Sequence, residues 1–391
     1  MNTLLKNIIG LIALICSSYA WPALHFLTIA DIHYGSNNTI GNGHDTGDVL
    51  WTTTLKKLHE LQRQVDFSIV LGDLPTHSLP LLSNKTQKAQ YEAKVFQDLY
   101  KANSQHKPIF YVPGNNDSLT GNYQPFAKNG SSPLDYAYNW QGACAYCQEL
   151  IIDKTAMHSD GYYSSYVLPN NKEVLLIVLN TTQFAKLPWL AMPYVKQSRD
   201  ANRQLKWLES QLKNNKAKQL LIAMHEEPGV DYHKQAIWQE NYLQAFIKLL
   251  NNYQQNYQQI SLLTAHSHYD ELRKITLTNG KPIYAYATPA ISRSHYNNPA
   301  MKVFHLNDEF YLQDFTTHYS LNESQWTNHY YHAIAAENDA IFSTCAGLPL
   351  AACLDTLPTE KLCDLMEGKF IYSTKNQDKT GFNCLNTYNI N

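Results

Sequence analysis

Leu24-His25-Phe26-Leu27-Thr28-Ile29-Ala30-Asp31-Ile32-His33 decides the fold: an apolar run that breaks off in Asp-x-His. A run of four to seven residues rich in Ile, Val, Leu and Phe, bounded by polar ones, reads as a buried strand. The same grammar recurs four more times. Phe67-Ser68-Ile69-Val70-Leu71 runs into Gly72-Asp73, and Ile109-Phe110-Tyr111-Val112 runs into Pro113-Gly114-Asn115-Asn116-Asp117. Leu220-Leu221-Ile222-Ala223-Met224 meets His225, and Ile260-Ser261-Leu262-Leu263-Thr264 leads to His266-Ser267-His268. Between the first three lie helical spacings, Leu50, Leu55, Leu58 and Leu61 within 48–64, and Tyr91, Val95, Phe96 and Leu99 within 89–102. Asp31 to Asp73 and Asp73 to Asn115 are each 42 residues apart, room for a strand, a crossover and a helix. Further helices are expected at 196–213 and 235–253, and closely spaced strands at 274–277, 283–287, 301–306 and 309–315. The fold class is α/β, with ligand-type side chains collected at the carboxyl ends of strands.

A single Asp, Asn or His after a strand is ordinarily a loop or capping residue. Here Asp31, His33, Asp73, Asn115, His225, His266 and His268 follow five strand-like runs in succession, which makes them candidate metal ligands. Imidazole suits Zn, Fe and Mn, and carboxylate and amide oxygens add harder donors. A carboxylate can bridge two ions, and two ions roughly 3.5–4 Å apart clamp the attacking and leaving oxygens of a displacement at phosphorus. Gly72 and Gly114 permit the tight turns such a site needs.

The order D-x-H, G-D, G-N-x-D, lone His, then H-x-H resembles the calcineurin-like metallophosphoesterases. The acid-sphingomyelinase-like branch is the nearer likeness. Gly72-Asp73-Leu74-Pro75-Thr76-His77 resembles its G-D-[LI]-P-A-H, and His266-Ser267-His268-Tyr269-Asp270-Glu271 its H-T-H-x-D-E. Thr288-Pro289-Ala290-Ile291-Ser292, with Asn297-Asn298-Pro299 and Val303-Phe304, resembles a third block, and the likeness spans 24–321. It implies a four-layer αββα sandwich. It also implies a first metal on Asp31, His33, Asp73 and His268, and a second on Asp73, Asn115, His225 and His266. Asp73 would bridge, a hydroxide between the ions would attack phosphorus in line, and His77 would contact the phosphate or the leaving oxygen. The ions expected are two divalent transition metals, Zn first, with Mn or Fe as alternatives.

Two departures bear on chemistry. Asn116 stands where the family has a His that protonates the leaving group, and an amide cannot deliver a proton. His77 or a water must supply it, or the leaving group needs little help. After His225 come Glu226-Glu227-Pro228-Gly229 in place of an apolar H-[IV]-P-P-G; solvated rim acids are the default reading, recognition of a cationic head group the alternative. The residues between Ala20 and Asp31 are too few for the lipid-presenting saposin-like domain of acid sphingomyelinase, so soluble phosphodiesters of nucleotide or phosphocholine type are expected.

Residues 1–20 read as a cleaved signal peptide. One Lys precedes an apolar run from Ile8 to Ile15, too short to span a bilayer, and Ser18-Tyr19-Ala20 places small residues before the cut. The product would be secreted or periplasmic, with no transmembrane segment. Removing Cys16 leaves Cys144, Cys147, Cys345, Cys353, Cys363 and Cys384, an even set that suggests disulfides, its pairing left open. The Cys144-x-x-Cys147 pair has no second CxxC to make a metal knuckle and is read as structural. The remainder divides into a phosphoesterase domain, 21–321, and a helical, disulfide-braced C-terminal region, 322–391, with short helices at 337–345 and 359–366.

The whole chain has 391 residues and a net charge of −2, with 44% hydrophobic residues. That is enough apolar material for a large core, and the charge balance gives no electrostatic case for binding nucleic-acid polymers. The expected partner is a small phosphoester. The expected function is an exported metal-dependent phosphodiesterase. The alternatives are a phosphomonoesterase or nucleotide pyrophosphatase on the same site, and a non-catalytic protein retaining the fold.

Overall fold

The computed structural model describes residues 23–36, 43–77, 85–187, 193–320, 326, 330–332, 348–366 and 383–390. The signal-peptide reading at 1–20 and the helix expected at 337–345 lie outside them. The first strands are β1 (Leu24–Ile29), β2 (Phe67–Val70), β3 (Ile109–Tyr111), β4 (Cys144–Ala145) and β5 (Ile151–Asp153). Then come β6 (Tyr163–Leu168), β7 (Asn171–Val178), β8 (Ala217–Ala223), β9 (Tyr257–Thr264) and β10 (Leu272–Thr276). The last are β11 (Pro282–Ala287), β12 (Ala300–Leu306), β13 (Leu312–Tyr319), β14 (Tyr330–His332) and β15 (Asn389–Ile390). The helices are α1 (Asp48–Gln62), α2 (Lys85–Ala102), α3 (Met157–Asp160), α4 (Gln197–Asn214) and α5 (Glu240–Tyr253), with α6 (Leu350–Asp355), α7 (Thr359–Leu365) and α8 (Cys384–Thr387) near the C-terminus.

Two mixed sheets result, ordered β14-β13-β12-β1-β2-β3-β4 and β15-β10-β11-β9-β8-β7-β6-β5. At the centre of each, the strands that carry candidate ligands run parallel: β1, β2 and β3 in one, β8 and β9 in the other. The sheets face each other. The Tyr286 ring of β11 meets Phe304 of β12 at 6.0 Å and Phe315 of β13 at 6.2 Å, and Tyr163 of β6 donates its hydroxyl to the Tyr111 carbonyl of β3. Side-chain alternation along a strand sorts the layers. Val174, Leu176 and Val178 of β7 join the cluster that holds Phe26 and Phe304, whereas Leu175 and Ile177 pack with Leu208 of α4 and Phe246 of α5. Outside the other sheet, Phe96 of α2 meets Tyr111 of β3 edge-on at 5.1 Å. The architecture is helix, sheet, sheet, helix.

Several boundaries move for local reasons. The helix expected from 235 begins at Glu240, because Ala236 and Trp238 form bridges with Val230 and Ala185 and Gln239 is extended. The strand expected at 309–315 is β13, Leu312–Tyr319. Asn307 Oδ1 accepts from the Glu309 and Tyr311 N–H groups, holding a turn there in which Phe310 has φ 69°. The β6–β7 hairpin is absent from the strands expected from sequence; its turn is Pro169-Asn170, with Asn170 at φ 59°. Cys144 is disulfide-bonded to Cys147 and Cys363 to Cys384, and Cys353 is disulfide-bonded as well. Beyond residue 321, β14 extends one sheet beside β13, and β15 extends the other beside β10.

Candidate active site

Every candidate ligand follows the C-terminal end of a parallel strand, where the backbone leaves the sheet and two neighbouring residues can turn to one point. The turns are strained. Asp31, His33, Asp73, His266 and His268 have φ of 46°, 45°, 55°, 71° and 68°, a left-handed region that non-glycine residues rarely adopt. Such strain persists only where surrounding bonds enforce it, and it gathers at functional sites. Here the Asp31 N–H donates to Gly72 O and the His33 N–H to Asp73 O. Asp117 accepts from the N–H groups of Asp73, Leu74 and Gly114 and from the Tyr111 hydroxyl, tying the β2 and β3 turns together. Neither turn glycine can be replaced freely. A Cβ on Gly72 would sit 2.5 Å from the Gly114 nitrogen, and one on Gly114 would sit 2.2 Å from Asp73 Oδ1.

The structure brings all seven residues to one place. His33 Nε2 lies 3.7 Å from Asp31 Oδ1 and 3.6 Å from Asp73 Oδ2; His225 Nε2 lies 3.6 and 3.3 Å from the same two oxygens. His268 Nε2 is 3.5 Å from Asp31 Oδ1. Three groups emerge, each with one donor atom per residue within 4.8 Å of the others: Asp31/His33/Asp73, Asp73/His225/His266 and His33/His77/His268. Asp73 belongs to the first two, the position a bridge would take. Asn116 donates to Asp73 twice, backbone N–H to Oδ1 at 2.7 Å and Nδ2 to Oδ2 at 2.8 Å.

The donor atoms fit divalent ions. Asp31 Oδ1, His33 Nε2, Asn115 Oδ1 and His225 Nε2 are buried and have no hydrogen-bond partner. Four buried polar atoms without a hydrogen-bond partner in one cluster would each be a penalty of about 1–3 kcal/mol without something to bind. Opposite nitrogens are occupied, His33 Nδ1 facing Pro75 O and His225 Nδ1 facing Leu71 O, so Nε2 is the free atom. Burial pushes the Asp73 carboxyl up, but charge on His225 and His33 and the Asn116 amide hold it well below the usual range. Burial, with His225 beside it, takes His266 down to about 3, and burial with the neighbouring His295 takes His268 well down, so both rings are neutral donors.

His77 stands at the rim. Its ring stacks on His33 at 3.7 Å, and its Nδ1 and backbone N–H both meet Asp45, at 2.9 and 2.7 Å. Thr76 and Ser292 hydroxyls also donate to Asp45, which fixes this carboxylate in place. A cavity of about 910 Å³ opens over the cluster, bordered by His77, Asn116, Tyr123, Lys186, Tyr232 and Lys234.

Glu226 and Glu227 are not solvated rim acids. Both are buried. Glu226 accepts from the Thr181 and Thr182 hydroxyls at the end of β7, and Glu227 pairs with Arg273 of β10 at 2.8 Å, an arginine shared with Glu271. Buried charge needs partners, and those partners lie far away in sequence. Asp45, Asn122, Tyr123 and His295 belong to the site without any strand-end signal. His295 stacks on His268 at 4.1 Å.

Residues 24–270 match the family described as calcineurin-like phosphoesterase. The chain belongs to the calcineurin-like phosphoesterase family. The chain is 26% identical over 295 residues to a protein from Dictyostelium discoideum named sphingomyelinase phosphodiesterase D. The match covers 71% of this chain and 61% of that protein. Among solved structures, it is similar to a dimetal phosphatase from Danio rerio (12% identity, 80% of this chain and 98% of that chain, TM-score 0.46). It is also similar to a purple acid phosphatase from yellow lupin (Lupinus luteus) seeds (9% identity, 79% and 53%, TM-score 0.47). Among the described residues no helix is long and apolar enough to cross a membrane.

Proposed function

We propose that this phosphoesterase is an exported phosphodiesterase for soluble phosphodiesters of nucleotide or phosphocholine type. Residues 21–321 carry the reaction and residues 322–391 brace them. Asp31, His33, Asp73 and His268 hold one divalent ion, and Asp73, Asn115, His225 and His266 hold the other. The observation that carries this reading is the cluster of orphaned donor atoms on Asp31, His33, Asn115 and His225. Four imidazoles beside carboxylate and amide oxygen favour Zn, with Mn or Fe compatible. Bound there, the ions supply Lewis-acid polarisation of the phosphoryl oxygen and acidify water to a pKa of about 7.

The protein's own groups do the rest. Asn116 holds both oxygens of Asp73, leaving no acid beside the bridge. His77 is the proton donor to the leaving oxygen, its Nδ1–H directed onto Asp45 so that Nε2 is left for the substrate. A cavity of about 910 Å³ over the cluster has room for both arms of a diester. The test is a panel of phosphodiesters, phosphomonoesters and nucleotides assayed with and without Zn, Mn or Fe. Preference for diesters with metal supports the proposal; turnover of monoesters alone overturns it.

A further inference from the structure

An imidazole has two nitrogens and a carboxamide has an oxygen end and a nitrogen end, but a metal needs one particular lone pair of each. His33 and His225 are oriented by backbone carbonyls of the β2 turn. Asn115 and His266 are oriented differently, by two consecutive residues of one loop. Asn115 Nδ2 donates to Asn122 Oδ1 at 2.7 Å, which turns Asn115 Oδ1 inward as the buried atom without a partner. Tyr123 Oη lies 3.3 Å from His266 Nε2, which leaves Nδ1 as the nitrogen free for an ion. The Tyr123 N–H donates to the Asn115 carbonyl at 2.9 Å, and the Ser118 hydroxyl donates to Pro125 O at 2.7 Å, so the loop closes back on the ligand it serves.

We propose that Asn122-Tyr123 is a positioning clamp for one ion of the pair, the one assigned above to Asp73, Asn115, His225 and His266. The inference rests on that two-ion reading. With an ion on Nδ1, His266 keeps its proton on Nε2 and donates it to the Tyr123 oxygen. That bond fixes the ring and strengthens Nδ1 as a donor. Asn122 acts on the amide in the same sense, because only the flip that places Nδ2 toward Asn122 presents oxygen to the site. Among the described residues neither Asn122 nor Tyr123 is hydrogen-bonded to Asp31, His33 or His268, to which the other ion is assigned.

The two ions therefore differ in how they can be loosened. The experiment uses full-length, Zn-loaded protein dialysed against a graded series of chelator strengths, with metal content read by elemental analysis and fold checked by circular dichroism. Wild type is compared with Tyr123→Phe, Asn122→Ala and Asn122→Asp. Tyr123→Phe and Asn122→Ala should each release one ion about 10–100-fold more readily than wild type while keeping the other at wild-type strength. Asn122→Asp retains an oxygen acceptor and should keep both. Variants that hold both ions as tightly as wild type, or lose both together, overturn the clamp while leaving the two-ion reading intact. Wild type that takes up fewer than two overturns both. Should Tyr123→Phe misfold, the contrast between Asn122→Ala and Asn122→Asp decides.

Discussion

Asn116 shows how one side chain redirects the chemistry around it. Its two donated bonds stabilise Asp73 as a carboxylate, and in the proposed function proton delivery falls to His77 at the rim. General-acid assistance is typically worth 10²–10⁴-fold, and poor leaving groups need it most. His77→Ala should therefore slow alkyl phosphodiesters more than activated aryl ones, and Asn116→His should speed alkyl esters selectively, by about 10-fold. Rates across a series of leaving-group pKa values check both; a flat series unmoved by either substitution contradicts the assignment. The partner of His77 has its own signature. Burial alone would push the Asp45 carboxyl up, but the His77 hydrogen bond, with charge on His33 and His77, carries it far below the usual range. A carboxylate depressed in the folded state contributes stability that is complete above its unfolded pKa of about 4 and is lost as pH falls below it. Asp45→Asn should accordingly lose less stability than wild type between about pH 6 and pH 3. Urea denaturation at both pH values measures this, and equal losses would refute it.

Between elements, the turns and buried pairs carry the strain. Gly72→Ala combines a left-handed φ of 82° with a backbone clash, and Gly114→Ala drives a methyl into Asp73. Each should destabilise by roughly 1–3 kcal/mol and reduce metal uptake, seen as a lower melting temperature and lower metal content. Arg273 joins β10 to the turn after β8 through two buried carboxylates. Arg273→Leu removes the partner of both buried carboxyls and should destabilise by about 3–5 kcal/mol, more than Glu227→Gln, which leaves the Arg273–Glu271 pair. Denaturant titration of the two variants orders them; the reverse order would contradict the account. What the sequence disclosed follows the same division. A run such as Phe67–Val70 ending in Gly-Asp is local, so strand, turn glycine and candidate ligand were legible together. The Glu227–Arg273 pair spans 46 residues, and the bond from Asp45 to His77 joins two loops. Nothing within a short window distinguishes a paired buried Glu from a solvated one. The β6–β7 hairpin carries a readable signal of another kind, Pro169-Asn170 between apolar runs.

Taken whole, the molecule places candidate ligands from both sheets on one seam, so the cluster exists only when the sandwich is closed. The order of its ligand-bearing segments was legible because each ends a central strand. Pairing of the two sheets was implied by family resemblance and not by periodicity, since a strand buried on both faces reads as a continuous apolar run. The C-terminal region adds edge strands to the two sheets and a Cys363–Cys384 disulfide. With 21 residues separating them, closing such a loop contributes about 3 kcal/mol on the chain-entropy estimate. Reductant should therefore lower the unfolding midpoint, and unreduced protein should resist alkylation at these cysteines; several readily alkylated thiols would contradict an exported, oxidised chain. The most direct test of the central claim is the metal-to-protein ratio of purified wild type measured beside Asp73→Asn. The account predicts about two transition-metal ions per chain in the wild type, and a variant depleted of metal and inactive. Wild type fully active in chelator with no bound metal would contradict it.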